Sequence, residues 1–122
     1  MVTPKIRTVY PSAARIATPT AVELDMATAH GLILVVDTTA DPALASVVFN
    51  VDGVDPTSGK AWTILDSTAV DGTGTIILRI GPEMTAAGGA TARDVVPPIV
   101  RVTPVHADAD SITYSVAAHA TV

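Results

Sequence analysis

The chain has no cysteine, and aromatic residues occupy only 3% of its 122 positions. Without cysteine there is no disulfide framework, no zinc ribbon and no thiol catalysis. The aromatics are Tyr10, Phe49, Trp62 and Tyr114, too few for the platform of several rings that a carbohydrate-binding module usually offers. Cations are also scarce. Seven Lys and Arg stand against twelve Asp and Glu, giving a formal net charge of -5, and they form no basic stripe. Nucleic acid and anionic membrane are thereby disfavoured as partners, because both need clustered cations. Long apolar runs are missing too. The longest, Leu32 to Val36, is far short of the ~20 residues that span a bilayer. The opening Met1-Val2-Thr3-Pro4-Lys5-Ile6-Arg7 has no apolar region behind its charges, so it does not read as a leader.

What is present is Val, Ala and Ile interleaved with Thr. Hydrophobic residues reach 48% and mean hydropathy is +0.46. At this length residues 1–122 fit a single domain with one core. Short β-type runs separated by turn chemistry recur about every ten residues, the spacing of an all-β sandwich or barrel. The expected runs are Lys5 to Tyr10, stopped by Pro11, then Arg15 to Thr18, Thr20 to Leu24, Leu32 to Val36 and Val47 to Asp52. After them come Ala61 to Leu65, Thr75 to Ile80, Ile99 to Val105 and Ile112 to Ala118. The expectation is an antiparallel sandwich of about eight strands.

Leu32-Ile33-Leu34-Val35-Val36 does not alternate and reads as a strand buried on both faces. Asp55-Pro56-Thr57-Ser58-Gly59-Lys60 has Pro early and Gly late, as a hairpin loop needs. With the run from Thr75 to Ile80 it suggests a meander of at least three strands. Arg7, Arg79 and Arg101 fall mid-strand, where an outward charge discourages edge pairing. Residues 1–10 read as an N-terminal arm or edge strand. Residues 81–98 read as a long loop with room for one helical turn near Glu83 to Ala87.

No acid, base and nucleophile can be assembled by spacing, so the chain reads as non-enzymatic, with no catalytic residue, cofactor or resident metal. His30, His106 and His119 lie far apart in sequence, and no Gly-x-Ser-x-Gly elbow accompanies them. They read as surface or turn histidines. His106-Ala107-Asp108-Ala109-Asp110 would align three ligands if it stayed extended, but reads as a polar turn. Asn50-Val51-Asp52-Gly53-Val54-Asp55 suggests a calcium loop but fails the EF-hand template. With Gly53 at the glycine position, Val48 and Gly59 fall where the first and last ligands belong. Five residues separate Gly53 from Gly59, and Ala61 stands where a phosphate loop has Ser or Thr. Trp62 shares a face with Ile64 and is expected in the core.

Several segments carry a resemblance. Thr18-Pro19-Thr20 precedes the Leu32 to Val36 strand. Val54-Asp55-Pro56-Thr57-Ser58-Gly59-Lys60-Ala61-Trp62-Thr63-Ile64-Leu65 follows, and then Val105-His106-Ala107-Asp108-Ala109-Asp110-Ser111-Ile112-Thr113-Tyr114-Ser115-Val116. From about Arg15 onward the arrangement resembles small structural virion proteins of tailed actinobacteriophages and prophages. The resemblance implies a viral structural protein: a capsid decoration or minor capsid protein on the outer head shell, made in the host cytoplasm and located on the virion. Its implied partners are the major capsid protein and itself, as a homo-oligomer with a trimer favoured by the threefold sites of capsid lattices. The arm from Met1 to Tyr10 and the loop from Gly81 to Pro98 are the expected docking parts. A tail-tube, tail-terminator or head–tail connector protein is the alternative within the virion. A carbohydrate-binding module on the virion surface, centred on Trp62, is the second alternative.

Overall fold

The computed structural model describes residues 5–122. They form nine strands: β1 Lys5–Arg15, β2 Val22–Asp25, β3 Gly31–Ala40, β4 Val47–Val54, β5 Ala61–Asp66, β6 Gly74–Gly81, β7 Thr91–Arg93, β8 Ile99–His106 and β9 Ile112–Thr121. Two sheets pack into a sandwich. One has five strands in the order β1-β9-β3-β6-β7, the other four in the order β2-β8-β4-β5. All neighbours are antiparallel except β6 and β7, which are parallel. The all-β sandwich expected from the strand spacing is what the chain adopts.

Period-two alternation builds the core. On β4, Val47, Phe49 and Val51 point inward, and on β8 Val100 and Val102 do the same. On β9, Ile112, Tyr114, Val116 and Ala118 face them from the other sheet. Phe49 and Tyr114 meet edge to face across the layers, with centroids 5.3 Å apart and planes at 87°. Such a pair adds roughly 0.5–1.5 kcal/mol beyond its buried area.

Four expectations need correction. First, Pro11 does not stop the first strand. β1 continues to Arg15 as an edge strand, with register shifts against β9 between Thr8 and Tyr10 and between Tyr10 and Ala13. An edge strand tolerates the missing N–H of Pro, and the irregular register lets consecutive Val9 and Tyr10 both reach the core. Lys5 to Tyr10 is therefore sheet, while Met1 to Pro4 lie outside the described residues. The run expected from Arg15 to Thr18 is absent as a separate strand, since only Arg15 belongs to an element.

Second, the meander is not formed. β4 and β5 make the expected hairpin, closed by Asp55 N–H on Lys60 C=O and a left-handed Gly59 with φ 74°. β6 crosses to the other sheet and pairs with β3 and β7. Arg79 on β6 and Arg101 on β8 are therefore on interior strands and guard no edge. Third, residues 81–98 hold β7, and Glu83 to Ala87 is not helical.

Fourth, β3 is not buried on both faces. Leu32, Leu34 and Val36 are in the core, whereas Ile33 and Val35 are only half-buried on the outer face.

Candidate functional site

The histidines do not converge. His30 precedes β3 at the surface, with Nε2 3.9 Å from a Glu83 oxygen. His119 lies on the outer face of β9. His106 ends β8 and is partly buried. Among the described residues no three His, Cys, Asp or Glu side chains stand together as metal ligands would. The segment from His106 to Asp110 leaves the strand at His106, so its alternation does not persist. Asp108 Oδ1 accepts the Asp110 N–H at 3.0 Å, which makes the turn. Asp55 serves its own turn as well. Its oxygens accept from the Thr57 N–H at 3.0 Å and the Ser58 hydroxyl at 2.7 Å, and these bonds hold its carboxyl below the usual carboxylate range.

The densest polar chemistry is one that spacing did not reveal. Arg15, at the end of β1, lies over the Tyr114 ring with Cζ 4.6 Å from the centroid, and 5.6 Å from that of Tyr10. Its guanidinium donates to the carbonyls of Tyr114, Ala13 and Pro11 at 2.8, 3.1 and 2.6 Å. The Tyr114 hydroxyl is hydrogen-bonded to His106 Nε2 at 2.9 Å. The backbone N–H of His106 donates to Thr18 Oγ1, and the Tyr10 hydroxyl donates to the carbonyls of Thr20 and Val102.

Burial pushes the Tyr114 hydroxyl up to about 12, against the pull of Arg15. Burial and then Arg15 push the His106 imidazole below its ordinary 6.5, with Asp108 opposing. Nδ1 of His106 is buried without a hydrogen-bond partner. An imidazolium would place an N–H there with nothing to accept it. At neutral pH the cluster therefore keeps a protonated phenol and a neutral imidazole. It ties β1, β8, β9 and the segment after β1 together at one end of the sandwich. No sequence signal pointed to it, because Arg15 and Tyr114 are 99 residues apart.

Among the described residues, single apolar side chains such as Leu44 and Val95 are exposed, and two larger apolar features face outward. The first is the outer face of the five-stranded sheet. Val35 on β3 has Ala117 on β9 and Ile77 on β6 as register neighbours. Ile33 lies one row away between His119 and Arg79, and the neighbouring Ile6 of β1 is 71% exposed. Asp37 lies one row away on the other side, between Ser115 and Thr75. The second feature is Trp62 on edge strand β5, which is not in the core as expected but 46% exposed. Its ring lies against the backbone of Gly53, its register partner, so closely that a Cβ there would fall 2.3 Å from Cζ2. The bulge at Ile64 of β5, opposite Val51 and Asp52, separates it from the inward Leu65.

No protein-family model matches the chain, and no curated protein matches it.

Proposed function

We propose that the protein is a non-enzymatic structural component of a bacteriophage virion, a decoration or minor capsid protein seated on the outer head shell. The observation that carries this reading is the outer face of β3 and β6. β3 bears apolar residues on both faces and β6 adds Ile77 between Thr75 and Arg79 on the outer one, and the sandwich covers only the inner face. The solvated face of an antiparallel sheet is ordinarily polar, so Ile33, Val35 and Ile77 on that face call for a second cover, and an assembly partner supplies it. The segments resembling small virion proteins support the choice of a shell as that assembly. The partners are the major capsid protein and other copies of the chain, and the protein reinforces the shell by mass action, because it binds the assembled lattice and favours it. A stable seat needs a total buried area of about 1,600 Å². The body that docks includes β1, since Lys5 to Arg15 is built into the sheet rather than free to act as an arm.

Cosedimentation of the purified protein with heads lacking it tests the reading. Saturable binding at sites repeating with the shell lattice is expected. Protein that stays in the supernatant at every concentration refutes it, and density in a sixfold ring at the tail instead selects the tail-protein alternative.

One observation favours a second reading. Trp62 lies flat on Gly53 with nearly half its surface open, as a lone sugar-stacking ring would. Saccharide binding lost in Trp62→Ala supports it, and silence on a glycan array removes it.

A further inference from the structure

We infer that the outer face of the five-stranded sheet is a self-complementary interface on which two copies of this chain pack face to face about a two-fold axis. The inference rests on the assembly reading above and names the first occupant of the exposed face. Its middle row is uncharged and, apart from Thr8, apolar: Thr8, Ala117, Val35 and Ile77 follow one another across β1, β9, β3 and β6. The row on one side carries Ile6, His119, Ile33 and Arg79. The row on the other side carries Ser115, Asp37 and Thr75, and the Thr75 hydroxyl donates to Asp37 Oδ1 at 3.1 Å, which fixes the carboxylate. Neither Asp37 nor Arg79 has an ion-pair partner among the described residues.

The charge order across the face is therefore basic, apolar, acidic. A two-fold axis lying in the interface along the apolar row turns the basic row of one copy over the acidic row of its partner. Each Arg79 then lies over the partner's Thr75, one strand of about 4.8 Å from the partner's Asp37 and within reach of it, twice per pair, while Val35 faces Val35 and Ile77 faces Ile77. An isologous contact requires this kind of self-complementarity. A face-to-face pair also gives Ile33 and Val35 the second cover that their strand lacks. The face is small for such a pair. Four strands about 4.8 Å apart and eight rises of about 3.4 Å span roughly 520 Å², and three-residue β7 adds about 50 Å², just under the range of about 600–1,000 Å² per partner for a stable interface. A two-fold pair, and not the trimer expected from lattice symmetry, is the unit this face builds.

Sedimentation equilibrium of the full chain tests the inference, with circular dichroism confirming that every variant stays folded. The wild type is expected at twice its 12.4 kDa. Asp37→Arg and Arg79→Asp each place like charges opposite one another and weaken the pair by about tenfold or more. The double variant Asp37→Arg/Arg79→Asp restores it. An equimolar mixture of the two single variants also restores it, because one copy is then basic in both rows and the other acidic in both. Val35→Arg, in the apolar row, abolishes it.

A wild type that stays monomeric at its highest soluble concentration overturns the inference, as does a dimer indifferent to all of these changes. Either result leaves the shell reading to be decided by cosedimentation, which a monomer can still pass.

Discussion

Tyr114→Phe removes one oxygen from the polar cluster and leaves the rest of the side chain in place. Phe keeps the edge-to-face contact with Phe49 and a ring beneath Arg15. What disappears is the 2.9 Å hydrogen bond to His106 Nε2. A neutral hydrogen bond contributes about 1 kcal/mol net, and a partner left unsatisfied in a buried setting raises the loss to about 1–3 kcal/mol. His106 already has a buried, unpaired Nδ1, so once Nε2 loses Tyr114 neither ring nitrogen has a protein partner in the variant. The ring is only partly buried, and water reaching it offsets some of the penalty. The expected loss is therefore about 1–2 kcal/mol, in the lower part of that range. At about 4 °C per kcal/mol for a domain of this size, Tm falls by roughly 4–8 °C. Urea unfolding at pH 8 measures this directly, with an unchanged slope showing that the denatured state is the same. A double-mutant cycle with His106→Leu isolates the pair, and a coupling of about 1 kcal/mol is expected. A loss below about 0.5 kcal/mol together with zero coupling would refute the view that this bond fastens the two sheets.

Two further outcomes follow from the same geometry. His106 has its folded value depressed below 6.5 by burial and Arg15, so the unfolded chain binds the proton more readily. Its contribution is present above pH 6.5 and is lost as pH falls from there through the folded value. Thermal melts across that window should show a decline in the wild type that is shallower in His106→Gln, and equal slopes would sink the assignment. Gly53→Ala places a methyl 2.3 Å from Cζ2 of Trp62 and must swing the ring outward, at a cost of about 1–3 kcal/mol. Trp62 is the one tryptophan, so its emission should shift to the red, and an unmoved spectrum contradicts the stacking.

Much of the fold was legible because strand alternation is local. The inward rows of β4, β8 and β9 follow from every second residue being apolar, and the Asp55 to Lys60 hairpin from Pro and Gly in their turn positions. Local pattern misleads where the outcome depends on residues far away in the chain. Pro11 reads as a stop, yet an edge position makes its missing donor harmless. Three-residue β7 has no pattern of its own and exists because β6 offers a parallel neighbour. Trp62 looked like core until the β5 bulge turned its strand and Gly53 made room beside the backbone.

The candidate sites divide the same way. The sequence by itself determined an all-β domain without thiols, with few cations and with strands apolar enough to call for cover on two faces. Only the tertiary structure decided which face of β3 the core takes, leaving Ile33 and Val35 outside. It also brought Arg15, Tyr114 and His106 into one cluster and lined up a basic, an apolar and an acidic row on one sheet. Alternation is written along the chain at a period of two residues. Which strand lies beside which is set by closing long loops around a shared core, and no local pattern encodes that choice.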